Sequence, residues 1–585
     1  MRLLAILLAT ACLPVSGPAT AKDFLRADGQ RIVDGSGRPV ILRGMGLGGW
    51  MLQEGYMLDI EGTGTQRSIH ARIADLLGEP QADAFYQAWR DNHTTRADLD
   101  AMAGWGFNSV RLPMHYALYT LPVEQEPVPG RQTWLEEGFR RTDELLAWAK
   151  ANDLYLVLDL HAAPGGQGND INISDRDPDA PSLWDDARNQ DKMVALWKRL
   201  AERYKGEPHI AGYDILNEPN WGFADPDDRN GCQETGNGPL RELLVRTTAA
   251  IREVDRRHLV IIEGNCWGNN YRGVLDSGGV QDNGGVPDNG PWDDNLAISF
   301  HKYWNRTDRN SIAEFLALRA KHDMPLWLGE TGENSNDWFA RTVALVEGEG
   351  IGWAWWPLKK LRYNNPLQIV ANDGYRKVLA YWNGTGPRPA REEAEAGLMT
   401  LARHDVRHEN NLFHPDVVDA LFRSPHSGEA IPFRSRVVGE GGLRIGAADF
   451  DMGRDGVAYH DRTPANEHIA DGGERVTWNP AMAYRNDGVD LARGTDGGYC
   501  VSGLEAGEWL SYTFDAAQAG NHDLRLVTRG RGRVSLRLND EPVPARATAD
   551  AGTDFTGLPL RQGRNTLVVR AEAGPFDLEM LEFHR

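Results

Sequence analysis

Two glutamates stand at the ends of hydrophobic runs that are typical of buried strands. Glu218 lies in the string DILNEP (residues 214–219), and Glu330 lies in LWLGETG (residues 326–332). Hydrolysis of a glycosidic bond needs two carboxyl groups: one protonates the leaving oxygen, and the other attacks the sugar. Two glutamates at the ends of parallel strands could supply both groups. We therefore take Glu218 and Glu330 as the candidate catalytic residues.

Short apolar runs recur eight times and alternate with amphipathic stretches such as residues 138–151 and 192–204. Runs that are apolar on both faces are typical of central parallel strands. Eight alternating units predict the α/β class and a (β/α)8 TIM barrel. Turn signals around residues 24–38 predict a hairpin that closes the bottom of the barrel. The eight runs are residues 40–45, 109–113, 154–160, 210–216, 259–263, 296–300, 325–329 and 351–356.

TIM-barrel enzymes place their chemistry at the carboxyl ends of the strands. Six of the predicted strands carry polar or aromatic residues at that end, and we expect these residues to form one site. Besides the two glutamates, the substrate-binding candidates are Arg111, His161, Asn217, His301, Tyr303 and Trp356.

These residue types suggest separate roles. Arg111 and the Tyr303 hydroxyl could stabilise the ionised form of Glu330 and hold its oxygens. Asn217 could bind a sugar 2-hydroxyl, a contact that strengthens in the transition state. The two histidines could orient the acid and the sugar, and the tryptophan on the last strand could stack on the reacting ring.

Length and charge limit the kind of protein this is. A chain of 585 residues exceeds a single core, so two or more domains are expected. The net charge of -21 argues against nucleic acid and anionic membranes as partners. It suits a neutral ligand such as a polysaccharide or oligosaccharide, and some of the 19 tryptophans could line a sugar-binding cleft, although most are expected in the core.

The pattern changes after the eighth run. Residues 392–422 have helical character, and residues 424–442 have the composition of a linker. From residue 443 onward, alternating runs separated by turns predict an all-β sandwich, similar to a jelly roll. The expected domains are therefore a barrel at 22–423, a linker at 424–442 and a β sandwich at 443–585.

The N-terminus has the features of a secretory signal peptide. A positive start, an apolar stretch and a small-x-small site predict removal of residues 1–21, so that the mature chain begins near Lys22. Lipidation at Cys12 is the less favoured alternative. Since no later segment is long and apolar enough to cross a bilayer, we expect a secreted or periplasmic protein without membrane insertion.

Three cysteines remain after the predicted cleavage. Cys232 and Cys266 both fall in loops after strand-like runs, so a disulfide between them and two free buried thiols are both compatible with the sequence. Cys500 is left over. The Cys and His spacing does not suggest a zinc site.

The barrel strings resemble glycoside hydrolase family 5, the cellulase family of clan A. The resemblance covers roughly residues 23–360 and implies a double-displacement, retaining mechanism. It makes Glu218 the general acid/base and Glu330 the nucleophile, with no metal and no organic cofactor. The matching features are VRLP around Arg111, DLH ending at His161, NEP at 217–219, HKY at 301–303, GETG at 329–332 and Trp356.

One loop bears on the substrate. The string LGGWMLQEGY (residues 47–56) resembles exo-β-1,3-glucanases of this family, in which the matching glutamate holds the terminal glucose. Glu54 would then bind a chain end; the alternative is a loop acid paired with a neighbouring base. We expect a β-glucan substrate. A mannanase, a xylanase, another β-glycosidase or an enzyme for a glycolipid headgroup is the alternative.

The C-terminal region resembles a carbohydrate-binding module of the family 6 type. The resemblance makes Tyr484 a candidate sugar platform. Trp509 is a second candidate, although large aromatics in strands usually pack inward, which favours the core for Trp509 and Tyr499. Residues 446–448 read Gly-Ala-Ala where such modules supply a glutamate for structural calcium, so a calcium site is in doubt. A module that only packs on the barrel remains an alternative. The matching strings are at 456–461, 484–490, 497–499 and 506–512.

A different class of function is a non-catalytic polysaccharide-binding protein built on an inactive barrel. Loss of one catalytic carboxylate would mark that class. Glu218 and Glu330 are both present, so the enzyme is favoured. We expect it to act as a monomer.

Overall fold

The computed structural model describes residues 22–225, 227–275, 290–495, 497–550 and 552–584. The predicted signal peptide, residues 1–21, lies outside these ranges. Within them, no helix has the length and apolar character needed to span a membrane.

Eight parallel strands close into a barrel, as the sequence predicts. Each strand coincides with one of the eight apolar runs, because a strand buried on both faces is apolar throughout. The order around the barrel is β10-β3-β4-β5-β6-β7-β8-β9. The strands are β3 (Arg43–Gly46), β4 (Ser109–His115), β5 (Tyr155–Ala162), β6 (Ile210–Asp214), β7 (Leu259–Ile262), β8 (Leu296–Lys302), β9 (Leu326–Gly332) and β10 (Gly352–Trp356).

A hairpin of β1 (Arg26–Asp28) and β2 (Arg31–Val33) precedes the barrel. Leu25 and Ile32 from this hairpin region pack against Tyr155, Val157 and Trp327, which point into the barrel. The hairpin therefore closes the bottom of the barrel, which confirms the prediction.

Helices surround the barrel. The pair α1 and α2, inserted before the second barrel strand, packs against α11 and α12 and forms an additional apolar cluster that the sequence analysis did not anticipate. The helices are α1 (Gln66–Leu77), α2 (Glu79–Asn92), α3 (Arg96–Trp105), α4 (Glu136–Ala151), α5 (Ile171–Ser174), α6 (Ala187–Tyr204), α7 (Gly238–Arg252), α8 (Asn265–Gly268), α9 (Ala313–His322), α10 (Asn336–Gly348), α11 (Asp373–Trp382), α12 (Arg391–Thr400) and α13 (Pro415–Phe422).

Three short strands follow the barrel and form a small sheet. They are β11 (Lys359–Lys360), β12 (Leu367–Gln368) and β13 (Leu412–Phe413).

The C-terminal domain consists of two largely antiparallel sheets with a shared apolar core, which agrees with the predicted sandwich. Residues 437 and 438, placed in the linker by composition, pair with β19 and so belong to the sheet. One sheet contains β14 (Val437–Val438), β16 (Tyr459–His460), β19 (Trp509–Ala516), β21 (Arg533–Leu538), β22 (Glu541–Ala547) and β24 (Gly563–Ala573); the other contains β15 (Leu443–Gly446), β17 (Leu491–Arg493), β18 (Tyr499–Leu504), β20 (Gly520–Arg529), β23 (Thr553–Leu560) and β25 (Phe576–His584).

Candidate active site

A cavity of about 620 Å³ opens at the carboxyl ends of the barrel strands. Its walls include both candidate catalytic glutamates and five of the seven predicted substrate-binding residues. Those five are Glu54, His161, His301, Tyr303 and Trp356. His161, His301 and Trp356 continue the inward-pointing series of their strands, whereas Glu330 reaches the cavity through a register shift in β9 and Glu54 lies in the loop after β3.

Glu330 is held by the two groups that the sequence predicts. The Tyr303 hydroxyl donates to one carboxylate oxygen at 2.8 Å, and the Arg111 guanidinium donates to the other at 2.8 Å. Two charge-assisted hydrogen bonds favour the ionised carboxylate and fix its orientation. Glu330 is 6% exposed, so its oxygens still face the cavity. This arrangement suits a nucleophile.

Three buried carboxylates around Arg111 were missed by the sequence analysis. The guanidinium donates to Asp214 at 2.9 Å and lies 3.3 Å from Asp159 and from Glu263. A guanidinium without exposure to solvent needs such partners. The sequence pattern does indicate two of these carboxylates, because Asp159 and Glu263 continue the alternation of inward-pointing residues in β5 and β7.

Glu218 is in the state expected of a general acid. Burial and the negative charge of Glu330 raise the pKa of Glu218 to about 7, although His301 opposes that rise. The His301 ring lies 2.6 Å from a Glu218 oxygen. Burial lowers the pKa of His301, but Glu263, Glu330 and Glu218 outweigh it and raise that pKa well above its ordinary value. The pair therefore retains a proton near neutral pH.

The backbone at Glu218 is unusual. Its φ is 44°, a left-handed conformation that a glutamate rarely adopts. The Glu218 N–H donates to the Glu263 carboxylate at 2.7 Å, which holds this conformation in place. Left-handed non-glycine residues concentrate at functional sites where the surrounding structure fixes them. Glu263 therefore positions the acid through the backbone as well as through His301.

The two catalytic candidates are close together. One oxygen of Glu218, one oxygen of Glu330 and one nitrogen of His301 all lie within 4.8 Å of one another. Retaining glycosidases have their carboxyl groups about 5–5.5 Å apart, whereas inverting enzymes keep about 6.5–9.5 Å for a water. The short separation suits direct attack by one carboxylate on the sugar.

Arg111 and Asn217 do not line the cavity, although both were predicted to bind substrate. Each is 0% exposed. The Asn217 oxygen accepts from Arg111 at 2.7 Å, and its amide nitrogen lies 3.3 Å from His161. Because those partners occupy its side chain, Asn217 links Arg111 to His161 instead of presenting a free amide to a sugar.

His161 and Trp356 form one wall. Their rings are parallel, with centroids 5.1 Å apart, and His161 is oriented by Asp159 at 2.8 Å. Behind the indole, a Cβ on Gly46 would lie 2.6 Å from the ring of Trp356. The absence of a side chain at Gly46 therefore lets the tryptophan lie flat at the base of the cavity.

Glu54 lies inside the cavity and has no basic partner among the described residues. Burial, followed by the charges of Glu330 and Glu218, raises the pKa of Glu54 well above its ordinary value. A buried carboxyl group without a protein partner is costly unless a ligand supplies hydrogen bonds. Tyr56 closes the same end and accepts a hydrogen bond from the Trp356 indole at 2.9 Å.

A second wall was not foreseen from the sequence. Trp267 lines the cavity beside Glu218, and its backbone N–H donates to the Pro219 carbonyl at 3.1 Å. Cys266 and Trp267 both have a φ of 54°, and Cys266 forms a disulfide with Cys232. The sequence was compatible with a disulfide or with two free thiols; the structure has the disulfide. It anchors the left-handed turn that places the Trp267 indole in the cavity wall.

Residues 70–361 match the family model "Cellulase (glycosyl hydrolase family 5)". The barrel belongs to glycoside hydrolase family 5.

Several members and relatives match parts of the chain. A beta-xylosidase from Phanerodontia chrysosporium is 34% identical over 42% of this chain and 48% of its own length. A probable glucan 1,3-beta-glucosidase A from Aspergillus niger is 30% identical over 31% of this chain and 41% of its own. The chain thus spans under half the length of these curated relatives. A crystal structure of an endogalactoceramidase covers 95% of this chain and 99% of its own, at 16% identity and a TM-score of 0.42.

The candidate residues of the C-terminal domain lie apart from the family 5 site and differ from each other. Tyr484 stacks on Tyr499 at 5.0 Å and donates its hydroxyl to Asp449, so its ring is used in packing and does not form an open platform. Trp509 is partly exposed on the outer face of β19, whereas Leu510 and Tyr512 point into the core. The expectation that favoured the core for Trp509 is therefore wrong.

The position of the doubtful calcium site does not suit a cation. Residues 446–448 offer no side-chain oxygen. The next residue, Asp449, lies against the guanidinium groups of Arg434 and Arg436 and accepts from Tyr484. Because these groups already satisfy the carboxylate, this part of the domain does not fit a calcium ion.

Proposed function

We propose that this protein is a retaining glycoside hydrolase that cleaves β-glucosidic bonds. The observation that carries the proposal is the approach of Glu218, His301 and Glu330 within 4.8 Å. That geometry combines a carboxyl group whose pKa is raised to about 7 with a second carboxylate that Tyr303 and Arg111 hold in place. A non-catalytic binding protein would need neither.

In the first step, the Glu330 carboxylate attacks the anomeric carbon of the bound sugar. The bond from that carbon to the glycosidic oxygen breaks, and the oxygen takes the proton of Glu218. The sugar is left as an ester on Glu330. Tyr303 and Arg111 hold different oxygens of Glu330, so only the donor on the oxygen that enters the ester loses its partner, and the other donor keeps the second oxygen.

In the second step, a water attacks the same carbon and gives its proton to Glu218, and the ester bond breaks. The change of role follows from electrostatics. The charge of Glu330 raises the pKa of Glu218, and that charge disappears when the ester forms. Glu218 has already given its proton to the glycosidic oxygen, and with its pKa lowered it stays ionised and can act as the base. Carboxyl groups supply every proton transfer, so we expect activity to persist in EDTA.

We further propose a β-glucan substrate that is cut at a chain end or as a short oligosaccharide. The support is Glu54, whose carboxyl lies in the cavity and has no donor among the described residues. Terminal sugar hydroxyls would supply the missing hydrogen bonds. The resemblance of the Glu54 loop to exo-glucanases and the glucosidase relative point in the same direction. The xylosidase relative makes a β-xyloside the second substrate to test.

Product analysis tests both levels of the proposal. Laminarin, carboxymethylcellulose, mannan and xylan are incubated side by side with the protein, together with p-nitrophenyl β-glucoside and β-xyloside. Glucose alone from laminarin supports end-cleavage, and Glu54→Gln should then slow hydrolysis of laminarin and of the aryl glucoside to a similar extent, because the terminal glucose that Glu54 binds is the reacting sugar in both. A ladder of oligosaccharides from carboxymethylcellulose would overturn the end-acting proposal. Absence of turnover on every substrate would overturn the hydrolase itself.

We also propose that the protein works outside the cytoplasm as a monomer. The Cys232–Cys266 pair supports an oxidising compartment, where disulfides persist. N-terminal sequencing of exported protein tests cleavage before Lys22, and light scattering tests the monomer. Trp509 is the remaining candidate for glycan binding on the C-terminal domain.

A further inference from the structure

Part of the C-terminal domain lies in the wall of the catalytic cavity. Residues 466–476, here called the rim segment, leave the β domain and reach the mouth of the barrel. Ala470 and Arg475 from this segment line the same cavity as Glu218 and Glu330. The cavity is therefore built by both domains.

Hydrogen bonds at the two ends of the rim segment hold it in place. The Asn334 amide donates to the Asn466 carbonyl at 2.6 Å and accepts from the Asn466 N–H at 3.0 Å. Both asparagines are buried, at 0% and 1% exposure. The Asn466 side chain in turn accepts from the Val476 N–H at 3.3 Å, which closes the segment into a loop. Asn334 follows Glu330 by four residues, so this anchor is close to the reacting centre.

Ion pairs tie the middle of the rim segment to the barrel. Glu467 lies 3.1 Å from Arg341, and Asp471 lies 2.9 Å from Arg306. All four side chains are at least partly exposed, so these ion pairs orient the rim segment but contribute little to the free energy of folding. Together with the asparagine contacts they fix where Arg475 is presented.

Arg475 lies over the indole of Trp304, with the guanidinium carbon 4.5 Å from the ring centroid. Trp304 lines the cavity, and its own N–H donates to the Glu333 carbonyl at 3.1 Å. Trp304 directly follows Tyr303, whose hydroxyl donates to the candidate nucleophile Glu330. The pair of Trp304 and Arg475 therefore lies in the cavity wall beside the tyrosine that holds Glu330.

The guanidinium of Arg475 differs from the other cations of this region. Arg111 pairs with four carboxylates, Lys360 pairs with Glu333, and Arg306 pairs with Asp471. In the described part of the chain, the exposed side chain of Arg475 has no carboxylate or carbonyl partner, and its guanidinium lies on the indole. Its N–H groups remain free at the cavity wall.

We propose that Trp304 and Arg475 form a sugar-binding subsite shared by the two domains, which binds the glycan unit next to the reacting sugar. Stacking on the indole fixes the plane of the guanidinium, and its fork of donors matches two neighbouring acceptor oxygens. A pair of adjacent sugar hydroxyls and the carboxylate of a uronosyl unit both present such oxygens. The β domain thereby sets the specificity of the barrel.

This inference rests on the proposed glycosidase activity, so the test compares two kinds of substrate. The first is an aryl glycoside, which offers one sugar. The second is the oligosaccharide that the protein hydrolyses fastest, used neutral and after oxidation of its C6 hydroxyls to carboxylates. The variants are Arg475→Ala and Arg475→Lys. The matched control is Arg493→Ala, since Arg493 also lies on an aromatic ring of the same domain, 4.3 Å from the centroid of Tyr499.

Arg475→Ala should lower kcat/KM for the oligosaccharide about tenfold relative to the aryl glycoside, the size expected for lost hydrogen bonds to a charged group. Arg475→Lys should recover part of that loss, and Arg493→Ala should leave the ratio unchanged. A larger loss on the oxidised substrate identifies the uronosyl carboxylate, and a larger loss on the neutral one identifies the hydroxyl pair. A ratio changed less than twofold by Arg475→Ala overturns the subsite. If the wild type hydrolyses neither substrate, the proposed function fails, and the subsite with it.

Discussion

The two domains differ in how their candidate ligand-binding residues are held. In the barrel, the side chains that hold Glu330 have defined partners, from Tyr303 and Arg111 to the buried Asp159 and Glu263. On the β domain, Trp509 is partly exposed on an outer sheet face, and no hydrogen bond of its indole appears among the described residues. A preorganised site can stabilise a transition state, whereas a single exposed aromatic can only add contact area.

The same difference sets the size of the effects that we expect from substitution. Barrel residues act as a network, so removal of one group disturbs charge balance and orientation together. Outer-face residues act singly. We therefore expect the largest losses of activity from substitutions in the barrel and the smallest from substitutions on the outer sheet face.

Glu330→Gln should reduce kcat by about 10^4-fold or more, because the amide cannot form the glycosyl ester. The measurement is hydrolysis of an aryl β-glucoside with a good leaving group. The matched control is Glu333→Gln, which removes another carboxylate of the cavity wall, one that pairs with Lys360 at 2.8 Å. Similar losses in both variants would contradict the assignment of the nucleophile.

Glu218→Gln should cost about 10^2- to 10^4-fold on substrates with a poor leaving group, since proton transfer to the glycosidic oxygen is lost. A dinitrophenyl glycoside needs no proton to leave, so its first step should be nearly unaffected and the ester on Glu330 should accumulate. Mass spectrometry of the intact protein detects that ester. Equal losses for all leaving groups would exclude Glu218 as the acid.

The barrel strands and most of the site were predictable, and the reason is local. A strand buried on both faces is largely apolar, and Glu218 and Glu330 stand where such runs end. Asp159 lies inside the apolar run of β5 and Glu263 directly follows β7, so neither stands out from the strand pattern. Their inward period-two positions would have revealed them.

Contacts between distant segments could not be predicted. The rim segment meets Trp304 only because the two domains pack together, and a single sequence contains no pattern for that packing. Helices α1 and α2 meet α11 and α12 for the same reason. Trp509 is a different case: Ser511 and Thr513 share its face, while Leu510, Tyr512 and Phe514 share the other, so the alternation already placed the tryptophan outside.

His301→Asn should lower kcat by about 10- to 100-fold, the cost of a hydrogen bond to a charged group, and should shift the pH profile. Catalysis needs the protonated form of Glu218, so activity falls as the pH rises through about 7. His301 lowers the pKa of Glu218; without it that pKa rises, and the alkaline limb should move to higher pH. A limb that moves to lower pH would contradict this electrostatic account.

The Cys232–Cys266 disulfide should support activity by holding Trp267 in the cavity wall. Without it, the left-handed turn at Cys266 and Trp267 loses its anchor, because such conformations persist only when the surroundings impose them. We expect the double change to alanine to lower kcat/KM for oligosaccharides about tenfold, as Trp267→Ala should.

Reductant should produce the same loss in the wild type and no further loss in the double variant. Cys500→Ala is the control, since Cys500 is a buried free cysteine of the β domain. Activity that resists reduction, while Trp267→Ala is impaired, would show that the turn holds its shape without the disulfide.

Trp509→Ala should have the smallest effect. Loss of one exposed aromatic platform is expected to weaken retention on insoluble glucan about threefold and to leave hydrolysis of soluble oligosaccharides unchanged. Affinity electrophoresis in glucan gels and hydrolysis rates measure the two properties. Tyr484→Phe is the contrasting variant: its hydroxyl bonds Asp449 inside the domain, so it should lower the melting temperature without changing retention. If Tyr484→Phe weakened retention and Trp509→Ala did not, the outer face of β19 would not be the glycan-binding surface.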